Sequence, residues 1–164
     1  MGRALLILGW LATAGLLATG ILGFQVDLAT GIGLHLLVGL FSSLLILFSH
    51  SWIMFYLIGT GKAVKTAVAE HDLNPDFIDR TIELKNRSYG WLMAAIGAVM
   101  AAFIVGGGVA TRVVPAWFHA LLFGIALLVQ MRTMLLEGAV IMDNYRLMQE
   151  VDREIESRRR GDVL

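Results

Sequence analysis

Residues 28–61 read LATGIGLHLLVGLFSSLLILFSHSWIMFYLIGTG, thirty-four consecutive positions without a charged side chain. A helix of that length reaches about 50 Å, whereas the hydrocarbon core of a bilayer is about 30 Å thick and takes about 20 helical residues. The stretch therefore predicts a membrane helix that continues beyond the lipid. Outward from it, three more uncharged runs at 4–26, 88–111 and 113–131 are each long enough to cross. Of the 164 residues, 57% are hydrophobic and 16% charged, against roughly 25% charged in soluble domains. The charges are gathered between the runs. The expected fold is all-α: an integral membrane four-helix bundle forming a single domain over 1–164, with spans at about 4–25, 31–58, 88–110 and 115–137.

Charge distribution orients this bundle. The 13 basic and 13 acidic residues cancel, which argues against a nucleic-acid partner and leaves lipid as the main surroundings. Arg3, Lys62, Lys65, Arg80, Lys85, Arg87, Arg132, Arg146, Arg153 and Arg158 to Arg160 fall on one side of such a bundle, and only Arg112 on the other. Positive residues favour the cytoplasmic side, so both termini are expected to be cytoplasmic in a bacterial inner membrane. Arg3, the apolar run after it and Ala12-Thr13-Ala14 are similar to a signal peptide. Removing them would leave an odd number of spans and invert the basic segments, so the run is taken as the first membrane helix.

The long second run predicts an exit at Gly59-Thr60-Gly61-Lys62. Beyond it, Ala63, Val64, Ala67 and Val68 form one apolar stripe. Asn74-Pro75 reads as a turn in which Asn74 caps the next helix and Pro75 takes its first position. The fourth run continues through Tyr145, Leu147, Val151 and Ile155. Helices two, three and four are thus expected to extend, over 62–87 and 138–158, into a cytoplasmic helical stalk.

Polar groups within membrane segments are costly and each suggests a function. With Thr30 capping the second helix and Pro115 opening the fourth, His35 and His119 are both the fifth residue in. These two helices run in the same direction, so equal counts keep equal depth. Fifteen residues further on stand His50 and Met134, about 22 Å deeper at 1.5 Å per residue. Gly9 and Gly23, fourteen apart on the first helix, offer clearance.

This pattern of His35, His50, His119, Met134, Gly9 and Gly23 resembles the four-helix core of membrane b-type cytochromes. The resemblance implies haem b held by His35 and His119 near the outer face, and by His50 and Met134 near the inner. It also implies electron transfer within a bacterial respiratory-type assembly. Fifteen residues at 100° each turn the second ligand about 60° from the first, whereas two heptads would keep both on one seam. A bare copper or zinc ion at His35, His119 or His50, or simple hydrogen bonding of these histidines inside the bundle, remains an alternative.

Tyr56, Gln130, Arg132 and Glu137 lie near the level of His50 and predict a polar pocket for a quinone head group or a proton path. Either Arg132 or Glu137 would pair across the bundle with Tyr56, Lys62 or His50. Gly106-Gly107-Gly108 is expected to end the third helix. Other chemistry is excluded by residue type or spacing. The chain has no cysteine, hence no disulfide, thiolate zinc site or cysteine nucleophile. Gly59-Thr60-Gly61-Lys62 lacks the spacing of a phosphate loop, and no His-Glu-x-x-His or serine triad occurs. The second functional expectation is a non-catalytic structural or assembly subunit, self-associating or docking other membrane subunits through its cytoplasmic helices.

Overall fold

The computed structural model describes residues 2–26 and 32–161. Residues 27–31, including the Thr30 expected to cap the second helix, lie outside the described residues. The described residues form four helices: α1 (Gly2–Phe24), α2 (Gly33–His71), α3 (Asp76–Ala110) and α4 (Ala116–Gly161). Among the described residues there is no strand. All four helices are long and apolar enough to cross a membrane. Helix continuity follows from where proline is not: the two prolines immediately precede α3 and α4, where a missing backbone N–H costs nothing.

The helices form a square. α1 packs on α2 and α4, α3 packs on the same two, and α2 and α4 also meet across the diagonal, while α1 and α3 do not touch. Consecutive helices are antiparallel, so α2 and α4 run in the same direction. We call the end bearing the α1–α2 and α3–α4 links the upper end. Three apolar clusters follow one another downward: Ala12, Leu16, Ile46, Val99, Ala102 and Ala126; then Leu5, Ile53, Leu57, Leu92 and Val140 with neighbours; then Val64, Val68, Leu73 and Val151. α1 starts beside Tyr56 and Ile141. Below that level α2, α3 and α4 continue as three packed helices.

Small residues set the close approach of α1 to α2. A Cβ at Gly15 would meet the Ser42 hydroxyl at 2.5 Å, and one at Gly39 would meet Thr19 at 3.1 Å. Meanwhile Phe24, Phe41, Phe55, Ile104, Trp117 and Leu128 are exposed on the outside. Around the upper part of the bundle the exposed surface is largely apolar, while Ser42, Ser43, Ser49, His50, Gln130, Thr133 and Glu137 are buried among the apolar clusters. So large an exposed apolar surface suits lipid contact, since water would penalise it.

α2 continues without a break through Gly59-Thr60-Gly61 to His71, where Gly61 faces Thr81 of α3 and Thr60 donates a hydrogen bond to the Asn144 side chain of α4 at 3.1 Å. α2 stops at Asp72, whose φ is 50°, and the Leu73 N–H closes back on the Val68 carbonyl at 3.1 Å. That bond and the burial of Leu73 beside Val68 make a Schellman-type stop with its apolar contact. The Asn74 side chain then accepts from the Asp76 N–H at 3.0 Å, capping α3 as its position predicts. α3 likewise passes through Gly106-Gly107-Gly108 and ends at Ala110.

Two ion pairs tie α3 to α4 at the lower end, Arg87 to Asp143 and Arg80 to Glu150, each 2.6 Å. The hydrogen bond from Arg80 holds the Glu150 carboxyl below its usual 4.5. A depressed carboxylate stabilises the fold above its unfolded value, and the contribution fades as pH falls below about 4.5 through the folded value. Both partners are about two-fifths exposed, so Glu150→Gln is expected to cost no more than ~1 kcal/mol at neutral pH. Leu73→Ala, which empties a buried site, is expected to cost about 2–5 kcal/mol. Denaturation of the detergent-solubilised variants followed by circular dichroism compares the two, and a larger loss for Glu150→Gln would contradict this ordering.

Candidate functional site

Two layers of polar side chains face each other across the α2–α4 diagonal. In the upper layer His35 of α2 and His119 of α4 approach with ring centroids 6.3 Å apart and planes at 83°. His35 Nδ1 donates to the Thr19 carbonyl of α1 at 3.0 Å. In a neutral ring this places the proton on Nδ1 and leaves a lone pair on Nε2. Thr19 is held in turn by its hydroxyl, which donates to the Gly15 carbonyl at 2.9 Å. His119 Nδ1 is buried without a hydrogen-bond partner among the described residues.

Glycines on the two intervening helices give the rings their places. A Cβ at Gly23 of α1 would fall 3.0 Å from His35 Cε1, and a Cβ at Gly106 of α3 would fall 3.0 Å from His119 Cε1. Around the rings opens a cavity of about 1140 Å³ reached by all four helices. Its wall is mostly apolar, from Leu16, Val99, Ala102 and Phe123. The volume exceeds that of ordinary small-molecule pockets, roughly 300–1,000 Å³. A metal ion bound between two imidazole nitrogens at about 2.0–2.1 Å spaces the ring centroids by roughly 6 Å, close to the separation found here.

The lower layer is a hydrogen-bond chain whose proton positions can be assigned from one end, although Glu137 Oε2 is buried without a partner among the described residues. The Thr13 hydroxyl donates to the Gly9 carbonyl at 2.8 Å, so its oxygen accepts from Gln130 Nε2 at 3.0 Å. That orients the Gln130 amide oxygen toward His50, where Nε2 must donate across 2.8 Å. One proton then remains to be shared over the 2.5 Å between His50 Nδ1 and Glu137 Oε1. Both residues are almost completely buried.

This arrangement corrects the expected lower ligand pair. Both ring nitrogens of His50 are engaged, and Met134 turns to Gly9, where a Cβ would meet its sulfur at 2.8 Å. Gly9 thus makes room for a methionine side chain. The level assignment itself holds, since His50 sits opposite the Gln130–Glu137 segment that contains Met134. Of the four residues expected in a polar pocket, Gln130 and Glu137 meet at His50. Arg132 lies over the Trp91 ring at 5.4 Å instead, and Tyr56 packs against the middle apolar cluster. Thr13, Thr19 and Gly106 were not singled out as site residues by sequence. The signal for Thr13 and Thr19 was present, because a hydroxyl in an apolar run must find a partner. Gly106 had no such signal among eighteen glycines.

Among the described residues no group of three or more His, Asp or Glu side chains could hold a metal ion. No protein-family model, curated protein or solved structure matches this chain, so the functional reading rests on geometry.

Removing one partner from a buried, hydrogen-bonded pair leaves the other unsatisfied, whereas removing both can be nearly neutral. His50→Leu is expected to destabilise the bundle by about 3–5 kcal/mol, and His50→Leu combined with Glu137→Leu to recover most of that loss. Equilibrium unfolding of the single and double variants in detergent measures the coupling. Strictly additive losses would show that the two side chains do not depend on one another.

Proposed function

We propose that the chain is a membrane-embedded haem b-binding electron-transfer subunit of a bacterial respiratory-type assembly, with one haem held between His35 and His119. The observation that carries this reading is the pair of imidazoles, 6.3 Å apart in a four-walled apolar cavity, each backed by a glycine on a neighbouring helix. Two imidazoles alone leave a tetrahedral zinc or copper site incomplete. A haem supplies the remaining four nitrogens itself and asks the protein for two axial ligands. The Thr19 carbonyl orients His35 by taking its other N–H, as carbonyls do for metal-binding histidines.

When bound, haem supplies one-electron chemistry. His35 and His119 would hold the haem iron, Leu16, Val99, Ala102 and Phe123 would exclude water, and the cavity lies near one end of the bundle. In this reading the bundle lies in the bacterial inner membrane with both termini cytoplasmic. The lower three-helix segment is then the cytoplasmic stalk that docks other membrane subunits. A quinone fits as electron donor or acceptor.

Dithionite-reduced spectra of the detergent-purified protein test the assignment. A sharp reduced α-band at one haem per chain is expected, abolished by His35→Ala or His119→Ala and retained in His50→Gln. A second haem lost with His50 would move the proposal to two sites. A colourless protein that takes up no haem would refute it and favour a structural subunit.

A further inference from the structure

The lower end of the bundle carries its charge in two different ways. On the face between α3 and α4 the arginines are matched, Arg87 with Asp143 and Arg80 with Glu150. On the face between α2 and α3 the cations are lysines, and among the described residues none of Lys62, Lys65 and Lys85 forms an ion pair. They gather at one place. Lys85 Nζ of α3 reaches Gly61 of α2, 3.6 Å from where a Cβ would stand. Lys62 is the next residue along α2 and Lys65 lies one turn below Gly61, both exposed.

Carboxylates keep away from this group. On α3, Ile78, Ile82 and Tyr89 share the face of Lys85 at helical spacing, and the Tyr89 hydroxyl donates to the Met54 carbonyl of α2 at 3.1 Å. Asp79 is turned about 120° from Lys85 around the helix, and Glu83 lies in the groove with Asp143 and Glu150. Asp72 closes α2 about 10 Å below Lys65. Of the acidic residues outside the described ones, Asp27 precedes α2 in the upper link and Asp162 follows the end of α4.

Height decides what the lysines meet. His35 is level with His119, so Gly33 at the start of α2 is level with the exposed Trp117 of α4. Lys62 stands about 44 Å further down the unbroken helix at 1.5 Å per residue. A bilayer measures about 40–45 Å across with both headgroup layers. With Trp117 in the upper headgroup layer, where tryptophan is favoured, the lysines stand in the lower one. The exposed Phe55 and Ile58 just above them then face acyl chains.

Resting on the reading of the four helices as membrane spans, and not on the haem, we propose that Lys62, Lys65 and Lys85 form a binding site for an anionic phospholipid headgroup of the lower leaflet. An ammonium is a compact point charge suited to a phosphate oxygen. A zwitterionic headgroup brings a cation of its own, which three unpaired lysines repel. The site therefore selects phosphatidylglycerol over phosphatidylcholine, with the acyl chains lying against Ile58.

The chain has no cysteine, so Ile58→Cys carries the sole attached fluorophore in the full-length protein. In detergent micelles at low salt, spin-labelled phosphatidylglycerol is expected to quench it at about tenfold lower lipid fraction than spin-labelled phosphatidylcholine, since a lysine at the membrane surface contributes about fivefold. Lys62→Gln, Lys65→Gln and Lys85→Gln together should bring the two lipids within about twofold. Arg80→Gln with Arg87→Gln, which removes charge from the opposite face, should leave the preference intact. Circular dichroism checks that each variant keeps its helices. Equal quenching by both lipids, a preference that survives the lysine substitutions, or an equal loss in the arginine variant would overturn the site. Displacement of the labelled lipid by millimolar inorganic phosphate would make it a phosphate site and overturn the lipid assignment. If neither lipid quenches, the membrane placement falls with it. The haem α-band and its loss in His35→Ala are read separately, so a failure here is distinct from a failure of the haem reading.

Discussion

A single hydrogen-bonded clamp, Glu137–His50–Gln130, fixes the register of α2 against α4. Apolar helix surfaces slide and rotate past one another with little change in energy. Directional bonds buried among them do not, because a slip of one helical turn, about 5.4 Å, would strand every donor and acceptor at once. His50 takes one acceptor above it and one below on α4, so displacement in either direction is opposed. Gln130 carries the constraint to α1 through Thr13. Since α2 and α4 run in the same direction, a register set at His50 is still in force fifteen residues higher, where His35 meets His119.

The two layers consequently do different work with the same residue type. At the lower layer the imidazole is saturated, with both nitrogens bonded. At the upper layer, among the described residues, His35 uses one ring nitrogen and His119 Nδ1 is unpartnered, and the chamber around them is large. Glycine accounts for part of the contrast. Gly23 and Gly106 back onto the histidines and leave the chamber open, whereas Gly9 is filled by Met134. Among the described residues the large cavity around His35 and His119 opens at the end where the histidines are least committed.

Much of the architecture was legible beforehand. Uncharged runs of bilayer length marked four helices, and counting residues along two codirectional helices placed His35 level with His119 and His50 level with the segment around Met134. Rotation was harder to read. The fifteen-residue spacing already implied that His50 turns about 60° away from the seam of His35, but not that Gln130 and Glu137 would be there to receive it. Glycine was misread at Gly106-Gly107-Gly108, which α3 passes before ending at Ala110, Gly106 facing the His119 ring. Within an apolar helix glycine does not by itself mark an end, since leaving the helix would unpair backbone groups.

Length, charge segregation and residue spacing determined, without any coordinates, that this chain forms four long helices and at what depth its histidines lie. These are properties of a helix taken alone, governed by rise per residue and by the cost of burying charge. Which ring nitrogens are occupied, which glycine is filled and where Arg132 finds its partner were decided only by tertiary packing. Each depends on helix rotation and on the side chains that neighbouring helices bring within hydrogen-bonding distance. Periodicity along one strand of sequence cannot encode those meetings.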